Sequence, residues 1–84
     1  NNDEIATLQT EYAESEKSFI RFVTLLHPVT PEETLVQGAS SVFWLERYAV
    51  AENEATPLEM LEILAGDGNW IVRAAANQSL SNMN

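Results

Sequence analysis

The sequence predicts an all-α fold, a short α-solenoid of about two and a half copies of a 26-residue unit. Three observations carry that expectation. The chain matches itself at an offset of 26, each copy opens on a Thr-Pro helix-start signal, and a heptad-like apolar stripe precedes the first full copy.

The self-match is dense and uses rare residues. Arg21, Arg47 and Arg73 stand one period apart, Trp44 returns as Trp70, Ala39 as Ala65 and Ala49 as Ala75. Thr30, Pro31, Glu33 and Leu35 return as Thr56, Pro57, Glu59 and Leu61. Between positions 21 and 49, nine of twenty-nine residues are identical to the residue 26 later. The division that follows is one domain over 1–84: an N-terminal capping helix region at 1–19, repeats at 20–45 and 46–71, and a partial repeat with a tail at 72–84.

Each copy reads as two helical segments. Thr56 is placed as N-cap, Pro57 at the first helical position, and Glu59 as the residue that completes a capping box by reaching back to the Thr56 amide. Thr30, Pro31 and Glu33 make the same start one period earlier. Leu58, Leu61, Leu64 and Ala65 supply an apolar face at helical spacing, and Gly66, Asp67 and Gly68 end the segment. The first copy departs from this at its exit, where Gly38 replaces Leu64 and Ser40 and Ser41 replace Gly66 and Asp67. Ser41 is then the expected cap of a helix carrying Val42 to Ala51, and Asp67 or Asn69 the cap of a helix from Trp70 to Ala76.

The ends differ from the repeat. Ile5, Leu8, Tyr12, Phe19, Phe22 and Leu26 form the heptad-like stripe, broken only by Ser15. It predicts either one helix over 4–26 or two helices with a break near Glu14 to Ser18. Such a stripe fits a cap over the end of the stack, or a seam for a partner helix. From Asn77 onward the third copy turns polar and lacks the Thr-Pro start, which predicts a tail that either caps the array or marks a decayed unit.

The string Arg47, Ala49, Val50, Ala51, Asn53, Thr56, Pro57, Leu61, Leu64, Ala65, Asp67, Val72 and Arg73 resembles the leucine-rich repeat variant, a HEAT-like helical repeat family. The resemblance covers about residues 20–77. It departs at Glu54, where the family has Pro; the first copy keeps Pro28 there but carries His27 in place of Asn. What the resemblance implies is a right-handed superhelix of short units, and it is nearly silent on function. Some members carry an iron–sulfur module, which a chain without Cys cannot hold. Other HEAT-like relatives act in bilin handling, which makes an accessory role with bilins or other cofactors an alternative implied by resemblance alone.

Composition narrows the function classes. Thirteen acidic residues against four basic ones give a formal charge of -9, which disfavours nucleic acid and anionic membranes. Arg21, Arg47, Arg73 and Lys17 are too dispersed to override that average. The absence of Cys excludes disulfides and thiolate metal sites and suits the cytoplasm. The opening Asn1, Asn2, Asp3 and Glu4 is unlike a secretory leader, and no run is long enough to span a bilayer.

No residue grouping points to catalysis, a metal or a cofactor. His27 is the single histidine and has no second ligand-like group beside it in sequence. The acidic pairs Glu11/Glu14 and Glu59/Glu62 would need a pocket that raises one pKa before they could act. The Arg21, Arg47 and Arg73 ladder is expected to lock neighbouring units by pairing with capping acids such as Glu33 or Glu59, or with helix ends. Trp44 and Trp70 are expected in the core between units. Phe43, whose periodic equivalent is Asn69, is expected to face outward or against the N-terminal helix.

The function expected from these residues is a non-enzymatic adaptor or small scaffold with an acidic surface, binding another protein through exposed aromatics: Tyr12, Phe43 and Tyr48. The alternative is a homo-oligomer paired through the N-terminal stripe.

Overall fold

A computed structural model describes residues 2–83. Asn1 and Asn84, at the ends of the predicted capping region and tail, lie outside the described residues. Five α-helices follow one another: α1 Asn2–Leu26, α2 Glu32–Ala39, α3 Trp44–Glu52, α4 Leu58–Leu64 and α5 Trp70–Asn82.

The N-terminal segment is a single helix without a break at Glu14 to Ser18. It contains no Gly or Pro, and it ends at Leu26, just before the residue that Pro28 biases away from helical geometry. At about 1.5 Å per residue, its 25 residues make a rod near 37 Å long. The molecule measures 57 × 26 × 16 Å. Only the C-terminal part of α1 packs, against α3 and α2, with Leu25 buried and Phe22 half-buried.

The helix starts differ from the capping box expected of them. The residue capping α2 is Pro31 and that capping α4 is Pro57, and neither start has a side-chain cap bond. Thr30 and Thr56 therefore stand one position outside, and they turn backward. The Thr30 hydroxyl donates to the Thr24 carbonyl, and the Thr56 hydroxyl donates to the Val50 carbonyl at 2.6 Å. Each adds a second bond to a carbonyl near the end of the preceding helix, which already accepts the amide three residues on, His27 N for Thr24 and Asn53 N for Val50. Glu33 and Glu59 are exposed beside these starts and close no capping box.

Other termini follow the sequence more closely. Asn69 caps α5, its side chain accepting from Ile71 N at 2.8 Å and Val72 N at 3.4 Å. Ser41, by contrast, does not cap α3 as expected: the helix begins at Trp44, its cap is Phe43 without a side-chain cap bond, and Ser41 lies two residues earlier, accepting from Phe43 N. The stop after α4 needs no left-handed residue, since no described Gly has positive φ. The polar tail does not decay: α5 runs to Asn82 and lies against α3 and α4.

Three side-chain bonds recur at the 26-residue interval. Besides the two Thr bonds, Asn53 donates to the Leu25 carbonyl at 2.7 Å, and Ser79 donates to the Ala51 carbonyl at 2.6 Å. Arg47 donates to the Ser41 carbonyl at 2.8 Å, and Arg73 to the Asp67 carbonyl at 2.7 Å. The same polar links thus join α1 to α3 and, one interval later, α3 to α5, together with the turns between them. Between the helices lies a core of Leu25, Leu35, Ala39, Ala49, Val50, Ala51, Leu64, Val72, Ala75 and Ala76. Leu61 is equally buried, whereas Leu58, expected on the same face, is half exposed.

Candidate functional site

The arginine ladder is held inward by the chain's own carboxylates. Arg47 grips Asp67 with two parallel bonds, Nε to Oδ1 at 2.8 Å and Nη2 to Oδ2 at 3.1 Å. Both side chains are largely covered, so the fork geometry is fixed by packing. The Asn69 amide also donates to Asp67, at 2.9 Å. The Arg47 bond, helped by that amide and by the charges of Arg47 and Arg73, holds the Asp67 carboxyl below its ordinary range against the opposing effect of burial.

One period earlier the position of Asp67 is occupied by Ser41, and the carboxylate comes from elsewhere. Glu46 is buried; it accepts from Arg21 Nε at 3.1 Å and from the Ser41 hydroxyl at 3.2 Å. The Arg21 guanidinium carbon also lies 5.5 Å from the Phe43 ring centre, in cation–π range. The ladder therefore locks helices together as expected, but through Glu46 and Asp67, not Glu33 or Glu59. Arg73 donates to the Asp67 carbonyl and has no carboxylate pair within 4 Å among the described residues.

The tryptophans are not core residues. Trp70 is 68% exposed and Trp44 37%. Each is the first residue of its helix, and the inward positions are taken by Ala49 and Val50 in α3 and by Ala75 and Ala76 in α5. Their shared period reflects a repeated surface register. Tyr48 is half-buried against the core, which leaves Tyr12 and Phe43 as the exposed members of the predicted partner-binding set. Phe43 meets α1 through Arg21.

A cleft of about 320 Å³ lies between α1 and the α2–α3 segment, lined by Ile20, Leu25, Gly38 and the Arg21–Glu46 pair. Its charged groups are already joined to each other. His27 lies in the turn after α1; its Nδ1 accepts from Val29 N, and its carbonyl accepts from Asn53. No group of three metal-ligating side chains occurs among the described residues, and none of the helices is long and apolar enough to cross a membrane.

An apolar surface without a partner in its own body lies on α1. Ile5, Leu8, Tyr12 and Phe19 are all more than half exposed, and Val23 and Leu26 continue the stripe toward the body. From Asn2 to Lys17 every side chain is exposed except Ala13, which is intermediate. A contiguous apolar row rimmed by polar residues is a common mark of an interaction face. The heptad spacing marks the row in the sequence, but it cannot tell a self-packed cap from an open seam.

No protein family, no curated protein and no solved structure matches the chain.

Proposed function

We propose that the chain is a non-enzymatic protein-interaction module. Its helical body, read as a short right-handed solenoid of the leucine-rich-repeat-variant kind, serves as scaffold, and the stem of α1 serves as the docking arm. The observation that carries this reading is the exposed row Ile5, Leu8, Tyr12 and Phe19 on a helix that packs only at its other end. Amphipathic helices of this kind bind by laying such a row against an apolar surface, with anchors spaced three and four residues apart. The acidic residues beside the row, Glu4, Glu11 and Glu16, would disfavour anionic partners and set the sign of the rim.

Site-specific photo-crosslinking tests the reading. A benzophenone residue at Leu8, on the row, should give discrete adducts in native-host extract. The same group at Thr10, on the opposite side of the helix, should not, and Tyr12→Glu should abolish the Leu8 adducts. Equal labelling from both positions would contradict a docking face.

A further inference from the structure

We propose that the occupant of this face is α1 of a second copy of the chain, laid antiparallel to form a two-fold dimer. The inference rests on reading the stem as a docking face.

The stem needs a cover. A helix of about 15 residues is marginal alone in water, and residues 2–17 receive almost none from their own body. Its seam positions are Ile5, Leu8, Tyr12, Ser15, Phe19 and Phe22. Antiparallel pairing sets Leu8 against Phe19 of the second copy, Ile5 against the open edge of Phe22, and Tyr12 against Ser15. The last pair matters because Ser15 is the gap in the stripe. A large ring over a small residue fills it twice about the axis, whereas parallel pairing would stack Tyr12 on Tyr12 and leave Ser15 facing Ser15.

Charge selects the same orientation. In a parallel pair the flanking positions bring Glu11 against Glu16 of the other copy on both sides, a like-charge contact made twice. The antiparallel pair sets Glu11 beside Ser18 and Glu16 beside Gln9. Shape agrees as well, because each body sits at the C-terminal end of its α1. Antiparallel stems keep the two bodies at opposite ends.

The area is adequate. A covered aromatic side chain buries roughly 150–250 Å², and Tyr12 and Phe19 are 69% and 66% exposed. Four such rings contribute on the order of 500 Å². Ile5, Leu8 and Val23 from both copies bring the total toward the roughly 1,200 Å² of a stable specific interface. Each copy carries a charge of -9, so the pairing works against net repulsion and should tighten as salt rises.

The absence of Cys makes the test direct. Single-cysteine chains Leu8→Cys and Phe19→Cys, mixed in equal amounts with a short bismaleimide, should give a mixed cross-linked pair, and each alone should give little. Sedimentation equilibrium of the unmodified chain should return twice 9.4 kDa. Tyr12→Glu should weaken association by about tenfold or more by placing a charge in the seam, with helix content of the body unchanged. Self-linking of Leu8→Cys alone would overturn the antiparallel arrangement. A monomer at all concentrations would overturn self-pairing. In that event, Leu8 photo-adducts with a different protein leave the docking face standing, and their absence removes both.

Discussion

Leu25 fills the space that a side chain at position 38 would need. A Cβ on Gly38 would lie 2.6 Å from Leu25 Cδ2 and 2.9 Å from Val50 Cγ2. One period later the sizes are exchanged, with Ala51 in the place of Leu25 and Leu64 in the place of Gly38, all four buried. At this layer the two segments trade which helix supplies the bulk. The ladder trades in the same way, its carboxylate coming from Glu46 in one unit and Asp67 in the next.

The size exchange predicts strong coupling. Leu25→Ala alone should cost about 2–4 kcal/mol through the cavity it leaves, and Gly38→Leu alone about 2 kcal/mol or more through overpacking. The double substitution should be at least about 1 kcal/mol better than their sum. Urea denaturation of the four proteins of the cycle checks this, and simple additivity would contradict the packing relation.

Asp67→Asn should destabilise the fold by about 2 kcal/mol, the scale of a hydrogen-bonded charge losing its partner. The pH dependence follows in sign. Because the folded carboxyl lies below its ordinary value, its contribution is complete above the ordinary aspartate pKa of about 4 and is lost as pH falls through the lower folded value. The wild-type chain should therefore lose stability below about pH 4 more steeply than Asp67→Asn. Parallel acid titrations of the two proteins would show it.

The backward bond of Thr56 separates two accounts of the Thr-Pro signal. Thr56→Val, which removes the bond to the Val50 carbonyl, should cost about 1–2 kcal/mol. Glu59→Ala, which a capping box would make costly, should fall within about 0.5 kcal/mol of wild type. Thermal unfolding of both variants distinguishes the accounts, and a larger loss for Glu59→Ala would restore the box.

Trp70→Ala should change stability by no more than about 0.5 kcal/mol, as expected for an exposed residue. In Trp44→Phe, where Trp70 is the sole fluorophore of its kind, acrylamide should quench emission almost as readily as from free tryptophan. A blue-shifted, protected emission would return Trp70 to an interior.

Much of this was legible in the residues. The 26-residue offset marks positions with like surroundings: Leu35 and Leu61 are both buried, and Arg47 and Arg73 each donate to the carbonyl six residues back. What periodicity could not supply was direction. A recurring Trp marks a recurring environment, and that environment is solvent at a helix start as easily as core. Thr beside Pro can look forward to its own helix or backward to the previous one, and here both hydroxyls reach back to a carbonyl near the end of the preceding helix. The Glu46 substitution for Asp67 was hidden because it breaks the period, and only the fold brings position 46 to Arg21.

Amide hydrogen exchange across a concentration series tests the central claim, that the stem of α1 is held by a second copy of the chain and the body by itself. Residues 2–19 should exchange quickly in dilute protein and slow progressively as concentration rises, while α3 and α5 stay protected throughout. Stem exchange that ignores concentration would contradict it.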